Sequence, residues 1–154
     1  MIRNENEYQE AVRRLQEKKK RLDEHRTRLL ETGLSTDEIK RTLDPFRSFH
    51  EQLAEEVESY ERLERGDIAE MQNLHGLGYM LVALRIALGM TQHELAQKLG
   101  VHETQVSRDE RNEYHGISVE RVSRILDALG VRLTSIVEHL PVSGRGDARG
   151  SQPT

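Results

Sequence analysis

The sequence predicts an all-α protein in which a long antiparallel helical hairpin precedes five short helices. Three observations predict it. Of the 154 residues, 32% are charged, only 4% are aromatic and three are Pro, a balance that suits amphipathic helices better than a thick globular interior. Apolar residues recur at helical and seven-residue spacing. Capping residues followed three positions later by Glu, and glycines placed just past the apolar runs, punctuate the chain as helix starts and stops.

In the N-terminal half, Tyr8, Leu15, Leu22 and Leu29 recur every seven residues with Ala11, Val12 and Leu30 beside them. That is the stripe of a coiled-coil-like helix. Asn4 with Glu7 forms its N-terminal cap and Gly33 its end, so the helix should hold roughly 25 to 28 residues and be about 40 Å long. Ser35 with Glu38 starts a second helix through Ile39 and Leu43. Asp44-Pro45 reads as a fresh cap with Pro at the first helical position, which predicts a kink or brief restart. The pattern resumes through Phe46, Phe49, Leu53, Val57, Tyr60 and Leu63, and the two helices should fold back on each other over residues 1–66. Each stripe is narrow, and Lys18 and His25 interrupt the first. Further apolar surface must therefore come from a second copy, from the C-terminal region or from another protein.

Arg65-Gly66-Asp67 ends the hairpin, and residues 67–76 read as a linker. His75-Gly76-Leu77-Gly78 reads as a loop joint; it lacks the third glycine and the preceding strand of a phosphate-binding turn. From Leu77 to Leu140 the pattern gives five short helices. The first carries apolar positions 77, 81, 84 and 88 and stops at Gly89. The second is capped by Thr91 with Glu94 and turns Leu95, Ala96 and Leu99 inward. Gly100 supplies a sharp turn anchored by Val101, and Val106 gives the third helix its inner face. The fourth starts at Ser118 and uses Val119, Val122, Ile125, Leu126 and Leu129 before Gly130. The fifth holds Leu133, Ile136, Val137 and Leu140 ahead of Pro141. Residues 141–154 are polar and Gly-rich and are expected to be disordered.

Several functions are excluded early. The chain has no Cys, so disulfides, thiolate metal sites and Cys nucleophiles are ruled out. No apolar run approaches the roughly 20 residues of a membrane span, and no signal-peptide pattern opens the chain, so a cytoplasmic location and no membrane partner are expected. No nucleophile elbow, phosphate loop or supported acid/base pair is present, which predicts a non-enzyme without a cofactor. Paired carboxylates such as Glu55-Glu56 read as a solvated face. His75, His93, His102, His115 and His139 lie in the second half without ligand spacing on one helix, so no metal site is expected. Arg145-Gly146-Asp147 is a chance tripeptide.

The net charge of −4 weighs against nucleic-acid binding, because phosphate contacts favour a basic surface. Its distribution weakens that objection. Residues 1–72 carry 14 Lys and Arg against 18 Asp and Glu, whereas residues 73–154 carry nine of each.

The outer face of the third short helix carries Glu103, Thr104, Gln105 and Arg108, side chains able to present donors and acceptors to base edges. The order Thr91-Gln92-x-Glu94-Leu95-Ala96-x-x-Leu99-Gly100-Val101, then Val106-Ser107-Arg108, then Leu126-x-x-Leu129-Gly130-Val131, resembles the lambda-repressor-like (XRE, Cro-type) helix-turn-helix family over Leu77 to Leu140. A helical segment ahead of such a domain is similar to some HigA-type antitoxins and phage-derived regulators. The resemblance implies a sequence-specific regulator, a homodimeric repressor on double-stranded DNA. It implies that Gln92 and Asn112 contact phosphates, Gln92 also bracing the recognition helix, and that Glu103, Thr104, Gln105 and Arg108 contact bases. Two residues depart from the family pattern. His102 stands where a small cap is common, and Asp109 stands where an apolar residue packs inward, so it needs Arg121 or Arg124 as partner. The rival expectation is an adaptor or antitoxin whose net-acidic hairpin binds a partner protein such as a basic toxin.

Overall fold

The computed structural model describes residues 1–138, which form six α-helices and no strand. The hairpin is α1 (Glu5–Glu31) and α2 (Thr36–Glu64); α3 (Leu77–Ala87), α4 (Gln92–Leu99), α5 (Glu103–Arg111) and α6 (Val119–Leu129) pack as a compact group at its base. Local chemistry sets most of the ends. The Asn4 side chain accepts from the Glu7 amide at 2.9 Å, and Ser35 with Glu38 and Thr91 with Glu94 close reciprocal capping boxes. Ser118 caps α6 by accepting from the Arg121 amide. Each box satisfies amides that the first helical turn leaves without partners.

One apolar core joins the two parts. Ala11, Val57, Tyr60 and Leu63 of the hairpin, together with Ile2, share it with Leu81, Val82, Ala83 and Ile86 of α3 and with Leu95, Val106, Ile125 and Leu129. The C-terminal region is therefore what completes the proximal half of the hairpin. Tyr8 stacks on Tyr60 with ring centroids 5.1 Å apart and donates to Glu61 at 2.9 Å. That hydrogen bond, then burial, raises the Tyr8 phenol, and burial pushes Tyr60 up to about 12.

The structure departs from the sequence expectation in four places. First, α2 runs unbroken through Pro45 rather than restarting at Asp44. An interior Pro removes a helical hydrogen bond and costs roughly 3 kcal/mol; burial of Ile39 and Leu43 on one side, and of Val57, Tyr60 and Leu63 on the other, holds the helix across it. Second, Gly78 is not in a loop. Gly76 caps α3 at φ +79, and Gly78 sits in its first turn, where an added Cβ would fall on the carbonyl of Glu113. Third, residues 131–138 form no helix. Leu133, Ile136 and Val137 are exposed, and a short β-branched segment with nothing to pack on among the described residues does not meet the cost of helix nucleation. Leu140 and the expected disordered tail lie outside the described residues. Fourth, Val119 opens α6 in solvent rather than joining the core.

Candidate nucleic-acid interface

The two helices of the turn are held at a fixed angle by short-range bonds. Gly100 takes φ +67, and its amide and that of Val101 return to the carbonyls of Ala96 and Gln97. Only a residue free to adopt that conformation ends α4 so abruptly. His102 then caps α5, its Nδ1 accepting from the Thr104 amide at 3.3 Å. A ring nitrogen accepts only when unprotonated, so the neutral imidazole is the capping form.

Beneath α5 lies a buried ionic centre. Glu110 is 0% exposed, and its carboxylate receives Nε of Arg85 at 2.5 Å, a terminal nitrogen of Arg85 at 2.7 Å and Nε2 of Gln92 at 2.7 Å. Arg85 also donates to the carbonyls of Met90 and Arg3, both at 2.8 Å. One guanidinium thus ties α3 to α5, to the α3–α4 turn and to the segment before α1. The fork-to-carboxylate geometry satisfies both charges where water is excluded. Burial and the neighbouring Glu110 charge raise the phenol of Tyr114 beside them. At the far side, Asp109 meets Arg121 at 2.6 Å, and α5 continues to Arg111.

With Val106 and Glu110 facing inward, Thr104 and Arg108 stand on the exposed side of α5 and Gln105 flanks them half-buried. Glu103 is exposed too, but its carboxylate turns toward α4, 3.3 Å from Nδ1 of His93, which in turn meets Gln97 at 3.0 Å. Asn112 is the exposed C-cap of α5. Gln92 is set apart from these residues: it is 8% exposed, and its amide nitrogen is engaged by Glu110.

Sequence reasoning missed three residues here. Arg111 is exposed three positions after Arg108 and so shares its row with Thr104; that spacing was the available signal. Arg85 and Glu110 carried none, because a charge pair 25 residues apart looks like two surface charges until the helices are packed.

Among the described residues no helix is long and apolar enough to cross a membrane. Residues 81–136, from the second turn of α3 to just beyond α6, match the family described as helix-turn-helix. No curated protein and no solved structure matches the chain.

Proposed function

Residues 81–136 are a helix-turn-helix domain of the lambda-repressor-like XRE type, a DNA-binding kind found in transcription regulators, and from that premise we propose that this protein is a sequence-specific repressor acting as a homodimer. The observation that carries the reading is α5 itself. It is pinned from below by the Arg85–Glu110–Gln92 centre while Thr104 and Arg108 are left to solvent, with Gln105 half-buried beside them. A rigid support with free polar ends is what base readout in a major groove requires. Gln105 would pair with adenine, Arg108 with guanine or a phosphate, and Thr104 with a thymine methyl. Glu103 would accept from a cytosine amine once it leaves His93. Asn112 would hold a phosphate, a contact that sets register rather than sequence, whereas Gln92, whose amide nitrogen is engaged by Glu110, would brace α5 instead. One recognition helix reads few base pairs, so two copies on half-sites about 34 Å apart are proposed.

The test is selection of binding sites from sheared genomic DNA at about 150 mM salt, where phosphate attraction is partly screened. A Gln105→Ala, Arg108→Ala variant is run beside the full chain. A two-fold-related site enriched by the parent and lost in the variant supports the reading, with about 1 to 3 kcal/mol of discrimination lost per bidentate contact. A folded parent that enriches nothing overturns it.

A further inference from the structure

The distal half of the hairpin carries a groove that nothing among the described residues fills. Lys18, Arg21, Leu22, His25, Pro45, Phe46 and Phe49 line about 510 Å³ of space, with Phe46 and Phe49 exposed to 55% and 58%. Lys18 Nζ lies 3.3 Å from the centroid of the Phe49 ring, and His25 meets Phe46 edge-on at 5.7 Å. Neither Lys18 nor Arg21 has a carboxylate partner among the described residues.

Charge along the hairpin changes sign between its ends. Residues 13–50 hold 11 Lys and Arg against seven Asp and Glu, whereas residues 1–12 and 51–66 hold three against nine. The face bearing the groove runs on into the acidic end, because Pro45, Phe49, Gln52, Glu56, Ser59 and Leu63 follow one another at spacings of four and three. That spacing is the seam of a helix that pairs with another helix. At the acidic end the seam enters a second groove of about 440 Å³, lined by Ile2, Tyr60 and Tyr79 together with Glu55, Glu56 and Arg62, the last paired with Glu58 at 3.9 Å. Glu56 has the Met1 amino group at 3.6 Å, which leaves Glu55 as the carboxylate without a partner among the described residues.

We propose that this face of α2 is the dimer interface: a second copy packs antiparallel on it, the basic Phe46/Phe49 groove of each chain lying against the acidic Glu55/Glu56 groove of the other. A two-fold axis near Gln52 sets position 49 opposite position 55 and position 45 opposite position 59. One contact, made twice, then satisfies both ends of both chains. The same axis holds the two α2 C-termini about 40 Å apart, a span of the same order as the separation of two half-sites. The proposal deepens the homodimer reading above and rests on it.

Sedimentation of the full chain is compared for the parent, Lys18→Glu with Arg21→Glu, Glu55→Lys with Glu56→Lys, and an equimolar mixture of the two variants. Helical content by circular dichroism checks that each is folded. The expected result is a parent dimer that weakens with salt, at least a tenfold weaker dimer for each variant alone, and recovered association in the mixture. A parent that is monomeric, variants that dimerise like the parent, or a mixture that fails to recover overturns the proposal. DNA selection by the same samples separates the two failures: a two-fold site selected by variants that remain dimeric leaves the DNA reading standing and moves the interface elsewhere.

Discussion

At its proximal end the hairpin buries Ala11, Val57, Tyr60 and Leu63 in a core shared with α3, whereas at its distal end only Ile39 and Leu43 are buried and both Phe side chains stand in solvent. The helices are the same two and the apolar spacing is similar throughout. The difference is a third layer. Two narrow stripes facing each other remove little apolar surface from water, and a helix laid across them turns the same residues into a core. Stability should therefore be graded along the hairpin, with the distal turn opening well before the base.

The largest effect is expected at the ionic centre that locks the base. Arg85→Ala leaves the fully buried Glu110 carboxylate without its charge partner and should cost about 3 to 5 kcal/mol, read as a lowered urea midpoint. Arg85→Met with Glu110→Leu, which removes both charges, should recover much of that loss. A single variant that unfolds like the parent would show that the base is not held this way. Next is Gly78→Ala, whose Cβ would meet the Glu113 backbone; backbone displacement at such a contact costs about 1 to 3 kcal/mol, and thermal unfolding measures it.

Pro45→Ala probes the other end. It restores a helical hydrogen-bond donor in the segment expected to open first. Hydrogen exchange should slow across residues 36–50, while the global midpoint shifts less than for the two preceding variants. A global shift as large as theirs would mean that the two ends unfold as one unit.

The smallest effect is a pH dependence common to both ends. Hydrogen bonds from the Ser35 hydroxyl and then its amide hold Glu38 below its ordinary value of 4.5, and the Thr91 amide and then its hydroxyl do the same for Glu94. A carboxyl with a lowered folded pKa contributes stability that is present above 4.5 and lost as pH falls through the lower folded value. Mild acid should fray the start of α2 before α4, because α4 is embedded in the core and the start of α2 is not. Amide exchange at Glu38 and Glu94 across that range checks the order.

What the sequence determined by itself was local. Asn4 with Glu7, Ser35 with Glu38, Thr91 with Glu94, the turn at Gly100 and the stop at Gly130 were all legible, because each is a hydrogen bond or backbone conformation completed within about four residues. The helix-turn-helix segment was legible for the same reason, as were the exposed positions Thr104 and Arg108, whose placement follows from where Val106 points. Tertiary packing decided the rest. Pro45 stays helical, Gly78 lies against Glu113, Gln92 turns inward and Arg85 finds Glu110 because groups far apart in the chain meet. Residues 132–138 stay unwound because, past Val131, they pack on nothing among the described residues. Such outcomes depend on which surfaces come together and on whether burial there outweighs a lost hydrogen bond or a desolvated charge, a comparison that no local window of residues contains.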